Sequence, residues 1–256
     1  MPRRLDFWSQ RLAAVSSLRE KKGRSKLGRF AFEGPTLLRE AIESGLVVEA
    51  IYATEAALPK VPAAAEREIP TFILDQRAMR RISDLHTPPG IVAVAPMRFE
   101  RPDALLGEPG LVLALADLSD PGNLGTLLRC AEAAGASGVL CGDLGVEPYH
   151  PKVIRSAMGS LFRLRIAVAN AREVGRAASG WEVTGLDAGG EPIDGLAWSQ
   201  RTILVVGGER RGLGNWEDLC SRRAAIPMAG RTESLNAAVA GGIALYEASK
   251  RLAVRG

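Results

Sequence analysis

Between residues 111 and 252 short, nearly continuous apolar runs alternate with helical stretches, and this alternation limits the chain to few architectures. The runs at 111–116, around 137–141, 163–168, 181–186, 202–206 and 224–228 lack the regular polar positions of a strand with one wet face. Each therefore reads as a strand covered on both sides. Helical patterns fill 123–134, around 151–160 and 234–252. Together they predict an α/β fold with a mainly parallel sheet between helical layers.

A smaller series of the same kind precedes it. Phe30–Glu33 reads as a strand, Gly34-Pro35 opens a helix and Ser44-Gly45 closes it, following the preference for Pro at the start and Gly after the end. Val47–Ala53, Thr71–Leu74 and Ile91–Ala95 are further strands, and Gln76–Asp84 is a short helix. Residues 1–95 are thus expected to form an N-terminal α/β domain, 96–108 a polar, proline-containing linker, and 109–256 a second domain. A chain of 256 residues can bury a core in each. In Arg3–Arg29, helical spacing in Phe7, Leu12, Val15 and Leu18 gives way to a charged run, Arg19–Arg29, that reads as a mobile basic loop. Residues 1–30 carry nine Lys/Arg against two Asp/Glu, although the whole chain is only +4. The basicity is therefore local.

Three isolated cysteines (Cys130, Cys141, Cys220) suit reduced thiols, and with only His86 and His150 beside them no zinc or iron site is expected. His86 reads as a turn residue before Thr87-Pro88-Pro89-Gly90, and His150 as a surface residue. No run approaches the roughly 18 apolar residues of a membrane span, so a cytoplasmic protein is expected.

In parallel sheets ligands sit outside the carboxyl ends of the strands. Three stretches occupy such positions. In Leu115–Arg129, Asp120 is a natural N-cap with Pro121 at the first helical position. Leu124, Leu127, Leu128 and Ala131 form an apolar stripe, and Arg129 projects roughly 140° away from Leu124, so Asn123 and Arg129 are available for polar work. Thr202–Gly214 runs from a buried strand into a glycine-rich turn that exposes backbone amides. It is neither a Walker A loop nor a GxGxxG fingerprint, and an ordinary strand-to-helix turn has the same pattern. In Ala225–Asn236, Ser234 is the expected cap of a helix with Leu235, Val239, Ile243 and Tyr246 on one face. Gly241 and Gly242 inside that helix cost roughly 2 kcal/mol relative to alanine, which close approach of another element would justify.

DLSDPGNLGTLLRCAEAAG, VVGGERRGL and IPMAGRTESLNAAVAGGIALYEASKR, in this order, resemble the three motifs of the SpoU/TrmH family of RNA ribose 2′-O-methyltransferases. Arg155–Phe162 is similar to that family's segment between motifs one and two, while FEGPTLLREAIESG and HTPPGIVAVA resemble its substrate-binding domain, related to RNA-binding ribosomal proteins. The resemblance implies a trefoil-knotted C-terminal domain, an α/β knot, that binds S-adenosylmethionine and forms a homodimer. It also implies Arg129 as the catalytic arginine, with Asn123, Ser234 and Asn236 positioning the ribose or phosphate and Glu209 supporting the site. The cofactor residues would be Gly207, Gly208, Gly212, Ile226, Met228, Ser234, Leu235 and Asn236. A guanidinium stays charged at neutral pH, so Arg129 is read as binding substrate phosphate and stabilising an incipient alkoxide, with the proton leaving through phosphate or water. Motif two departs from the family pattern in Arg210-Arg211.

The implied substrate is structured RNA, 23S rRNA ahead of tRNA, with no membrane or metal partner. Candidate phosphate contacts are the basic leading segment, Arg80-Arg81, Arg155, Arg163, Arg165, Arg210-Arg211 and Arg222-Arg223. Two other classes make different demands. A Rossmann or P-loop enzyme needs a phosphate loop after the first strand of the domain, where 117–125 has only Gly122 and Gly125. A non-catalytic RNA-binding module would have lost the cofactor motifs, and all three are present.

Overall fold

The computed structural model describes residues 3–208, 211–232 and 234–253. The chain forms two compact units, residues 1–97 with 149–162, and residues 98–148 with 163–256. It passes between them three times. This partition differs from the expected one in two places: the polar segment after residue 97 is built into the second unit, and 149–162 groups with the first.

The first unit contains β1 (Arg3–Arg4), α1 (Gln10–Ser17), α2 (Lys21–Leu27), β2 (Arg29–Glu33), α3 (Pro35–Glu43), β3 (Ala50–Thr54), α4 (Ala63–Glu68), β4 (Thr71–Leu74), α5 (Gln76–Ile82) and β5 (Ile91–Pro96). Its mixed sheet has the order β1-β4-β3-β5-β2. Central β3 is buried at every residue, because Leu12, Val15 and Leu18 at the helical spacing of α1, with Met79 and Ile82 of α5, pack over Tyr52, Phe72 and Val92. Phe30 and Phe32 of β2 meet aromatic rings of the 149–162 segment, with centroids 4.6 Å apart for Phe30 and Tyr149 and 5.1 Å for Phe32 and Phe162.

The expected loop at Arg19–Arg29 is corrected by α2. Arg24 is 2% exposed, and its Nη1 donates to the carbonyls of Leu18 at 2.7 Å and Arg19 at 2.8 Å. It closes the end of α1, where backbone acceptors lack helical partners. Gly28, at φ +62°, ends α2 in the left-handed conformation. Part of the basic run is thus structural, while Lys21, Lys22 and Lys26 remain exposed.

Glu33 ends β2 half-buried, accepting hydrogen bonds from the Asp84 amide at 2.6 Å and from Ser83 Oγ. Asp84 in turn pairs with Arg155 at 2.8 Å. Burial holds the Glu33 carboxyl above its ordinary range, opposed by the Ser83 and Asp84 bonds. A raised folded-state value means that the native chain keeps a proton the unfolded chain has lost, so Glu33's contribution is best at acid pH and fades as pH rises through the folded value. The wild type is therefore expected to lose stability relative to Glu33→Gln between pH 4 and pH 8 in denaturant titrations. A difference independent of pH would contradict this.

The second unit runs through α6 (Pro102–Leu105), β6 (Gly110–Ala116), α7 (Pro121–Ala133) and β7 (Gly138–Cys141). After α8 (Pro151–Ala157), which lies in the first unit, come β8 (Ile166–Val168), α9 (Ala171–Ala177), β9 (Glu182–Pro192), β10 (Arg201–Gly207), β11 (Arg222–Ala225) and α10 (Ala237–Ala253). The sheet has the order β11-β9-β10-β6-β7-β8 and every pairing is parallel, as the continuous apolar runs predict. The expected linker supplies α6, with Leu105 and Leu106 in the core. Helix α9 was not expected, since only Val174 is buried along it. Its real signal is a capping box in which Asn170 and Glu173 satisfy each other's amides at 3.0 Å.

Helix α10 packs closely through its small residues, as the Gly241-Gly242 pair suggested, and leaves its larger apolar face outward. Ala237, Ala238, Ala244, Leu245 and Ala248 are buried, whereas Val239, Ile243 and Tyr246 are exposed. Small residues face the sheet because the helix lies close to it: a Cβ at Gly241 would stand 2.4 Å from Leu127 Cδ2 and 3.2 Å from Val206 Cγ2. Among the described residues no helix is long and apolar enough to cross a membrane.

Candidate active site

A cleft of about 240 Å³ opens at the carboxyl ends of β10 and β11 and beside the middle of β9. Leu186, Asp187 and Ala188 come from β9, Val206, Gly207 and Gly208 from the end of β10, and Ala224 and Ile226 from β11 and the loop after it. Met228, Ser234, Leu235, Ala237 and Ala240 close it from the last loop and α10. Seven of the eight expected cofactor residues line this cleft, namely Gly207, Gly208, Gly212, Ile226, Met228, Ser234 and Leu235. Asp187 was missed. It follows a strand read as ending at residue 186, so the carboxyl-end rule applied to that strand would have found it.

The glycine-rich turn is closed on itself. The Gly208 amide donates to the Gly212 carbonyl at 3.1 Å and the Gly212 amide to Gly208 at 2.9 Å. A Cβ on Gly207 would lie 2.1 Å from the Gly212 oxygen, so that position admits no side chain without opening the turn. The result is a small-residue wall that leaves volume for an elongated ligand of mixed polarity. Among the described residues, no cluster of His, Cys, Asp and Glu could hold a metal ion.

Beside the cleft, the first and third motifs meet. Asp120 caps α7 as expected, accepting the Asn123 amide at 2.8 Å. Asn236 Nδ2 donates to Asn123 Oδ1 at 3.0 Å, bringing together two residues 113 positions apart. Asn236, rather than Ser234, caps α10, since its Oδ1 accepts the amides of Ala238 at 2.9 Å and Val239 at 3.3 Å. Ser234 is left exposed in the cleft wall. Asp117, where β6 ends, holds a left-handed backbone with φ +52°, a strained conformation for a non-glycine residue that turns the chain toward the Asp120 cap.

Residues 110–246 match the SpoU rRNA Methylase family, more than half of the chain, and residues 10–93 match the MRM3-like substrate binding domain. The chain belongs to the SpoU rRNA methylase family. It is 32% identical over 243 residues to the 23S rRNA (guanosine(2553)-2′-O)-methyltransferase RlmP of Bacillus subtilis, covering 93% of this chain and 95% of that protein. Its fold is similar to the AdoMet-bound rRNA methyltransferase from Sinorhizobium meliloti, with TM-score 0.87, 27% identity and 98% coverage of both chains. The SpoU methyltransferase AviRb from Streptomyces viridochromogenes, in complex with the cofactor AdoMet, superposes with TM-score 0.81 at 29% identity, covering 95% of this chain and 98% of that one.

In this SpoU protein the remaining expected residues are placed unevenly. Arg129 is exposed on α7, about 9 Å farther along the helix axis than Asn123, and does not line the cleft. Glu209 and Arg210 lie outside the described residues. Several candidate phosphate contacts already hold carboxylates: Arg163 pairs with Glu132, Arg165 with Glu100 at 2.6 Å, Arg222 with Glu182 and Arg223 with Glu217. Arg155 is bound to Asp84. Arg80 and Arg211 remain exposed. His150 is an N-cap whose Nδ1 accepts the Lys152 amide at 3.1 Å, and His86 is exposed in a bend. Burial pushes the Cys141 thiol up to about 12 and Cys220 to about 11, which keeps both protonated and poorly nucleophilic at neutral pH.

Proposed function

We propose that this chain transfers a methyl group from S-adenosylmethionine to a ribose 2′-hydroxyl of structured RNA, with 23S rRNA as the substrate. One observation carries the reading: the glycine turn and the α10 loop form the walls of one cleft, and the Asn123–Asn236 bond stands beside it. The relatives' names, which specify rRNA ribose methylation, support the substrate class. The test is to incubate the protein with S-adenosylmethionine and rRNA from cells lacking its gene, then digest and weigh the nucleosides. A 2′-O-methyl nucleoside from 23S rRNA is expected. Methylation of a base, of tRNA alone, or of no RNA would overturn the proposal.

The cleft fits the cofactor by its chemistry. Ile226, Met228 and Leu235 offer apolar surface, the Gly207–Gly212 turn offers backbone groups unobstructed by side chains, and Ser234 and Asp187 offer polar ones. When bound, S-adenosylmethionine supplies an electrophilic sulfonium methyl group. Asn123 and Asn236, fixed by their mutual bond, orient the ribose or its phosphate, and Ser234 lends a hydroxyl from the cleft wall. Arg129 binds substrate phosphate and steadies negative charge on the 2′-oxygen, while the proton passes to phosphate or water. Positioning supplies much of the acceleration. Glu209, outside the described residues, keeps the supporting role that the family resemblance implies.

The second unit is read as a trefoil-knotted α/β domain, and residues 1–95 as a substrate-binding domain related to ribosomal proteins. An rRNA substrate puts the reaction in the cytoplasm. The chain is proposed to work as a homodimer through α7 and α10. Thr126, Cys130, Ala238, Val239, Gly242, Ile243 and Tyr246 line an open apolar groove between these helices, and Val239 and Tyr246 are 51% and 62% exposed. Arg129 borders that groove, next to Cys130, so association there sets it beside a second chain. Val239→Asp combined with Tyr246→Asp is expected to convert a sedimenting dimer to a folded monomer with little methylation activity. An unchanged mass would refute the interface.

A further inference from the structure

We infer that Trp8 and the arginines around it form a stacking platform for an unpaired base of the RNA substrate, an inference that rests on the RNA-methylating reading above. Of the four tryptophans, Trp181, Trp198 and Trp216 are 8%, 2% and 1% exposed, and Trp8 is 74% exposed. An indole left in water is a large apolar surface with its stacking face available.

Trp8 is held in place. Its amide donates to Asp6 Oδ1 at 3.0 Å, and its ring meets Phe7 edge-on, with centroids 5.0 Å apart and planes at 90°. The Phe7 ring in turn carries the guanidiniums of Arg77 and Arg81, 4.3 Å and 5.0 Å from its centroid. Arg81 also donates to the Phe7 carbonyl, and Ser16 Oγ donates to the Arg81 carbonyl at 3.0 Å. Phe7 is therefore tied to α5, and Ser16 ties α5 to α1, so the ring against which Trp8 stands is in place before any ligand arrives.

The surroundings are cationic. Arg11, Arg77 and Arg80 are exposed, and Arg11 lies 4.7 Å over Phe72. Asp6 holds the Trp8 amide, Asp75 caps α5 through the Ala78 amide at 2.7 Å, and Glu55 pairs with Arg4, so Arg11, Arg77, Arg80 and Arg81 outnumber the negative charges of Asp6 and Asp75. A guanidinium lying on an aromatic ring keeps its N–H edges for a phosphate. An exposed indole flanked by such groups suits single-stranded RNA, whose splayed bases stack on aromatics while the backbone meets arginine. A protein partner would have to bring carboxylates to meet these exposed arginines at its core, which favours the polyanion.

The full-length protein tests this directly. Trp8→Ala is expected to weaken binding to a single-stranded rRNA fragment by about tenfold, and to raise KM for hypomethylated 23S rRNA with kcat and S-adenosylmethionine affinity unchanged. Trp8→Phe should retain most of the binding. Arg77→Ala and Arg80→Ala should each flatten the salt dependence of log K by about 0.7 unit. Because Trp8 is the one exposed tryptophan, RNA should also shield the native fluorescence from acrylamide. Undiminished RNA binding by Trp8→Ala, unshielded fluorescence, or a dimer lost on substitution would overturn the platform; the last would assign the patch to a second copy. Wild-type protein that methylates no rRNA would instead bring down the functional reading itself.

Discussion

Arg129→Ala is expected to lower kcat for ribose methylation by about 10²–10³-fold, the usual cost of removing a group that steadies developing negative charge, while S-adenosylmethionine binds as before. The separation of the two effects follows from position. Arg129 is exposed on α7 and away from the cleft wall, so its loss leaves the cofactor's surroundings untouched. Arg129→Lys should recover only a minor part of the rate. Lysine keeps the charge but lacks the planar set of donors that can hold a phosphate in two places. Single-turnover methylation, with calorimetry for the cofactor, measures both quantities. Near-normal turnover in the lysine variant would show that charge alone suffices, and loss of cofactor affinity in the alanine variant would place Arg129 in the wrong site.

Gly207→Ala should have the opposite signature, weakening cofactor affinity by roughly thirtyfold before any effect on the chemical step. The added Cβ would meet the Gly212 oxygen at 2.1 Å and its carbonyl carbon at 2.2 Å, and neither is the tip of a flexible side chain. Relief requires opening the reciprocal Gly208–Gly212 bonds. Two hydrogen bonds at about 1 kcal/mol each correspond to roughly thirtyfold in affinity. Gly195→Ala is the control: a Cβ there meets nothing within 4 Å, and the residue does not line the cleft. Calorimetric titration of S-adenosylmethionine into both variants decides the matter. Equal affinities would mean that the turn does not shape the cleft.

The legible parts of the fold are those governed by local chemistry. Thr71–Leu74 and the start of α7 follow from an apolar run and from an Asp-Pro cap, both written within a few residues. The elements that escaped depend on partners far along the chain. Strand β9 continues through Gly185, Gly189 and Gly190 to Pro192 because β11 pairs with it, whereas glycines read locally announce a turn. Arg24 counted as solvated charge because nothing near it in sequence reveals the carbonyls it satisfies. In α10 the small residues that permit close packing were legible, and Ala237, Ala238, Gly241 and Ala244 do lie against their neighbours along with Leu245, but the pattern alone does not say that Val239, Ile243 and Tyr246 stay exposed. The carboxyl-end rule marked the stretches that line the cleft, while the individual cofactor residues came from the family resemblance. The Asn123–Asn236 bond was not legible, because spacing cannot say which polar side chains from distant motifs will touch.

The aromatic pairing of β2 with Tyr149 and Phe162 has a consequence for biosynthesis. When a ribosome has released residues 1–97, Phe30 and Phe32 still lack their covering rings, and Glu33 lacks the Asp84–Arg155 pair behind it. The amino-terminal unit thus cannot finish folding in the usual order of domains during synthesis. It must wait until the chain has been made past Phe162, by which time β6, α7 and β7 have already emerged. The same dependence forbids treating the substrate-binding region as a cassette: a graft onto another methyltransferase would need two separate pieces of sequence, and a fragment ending near residue 97 would expose the aromatic face that the later segment covers.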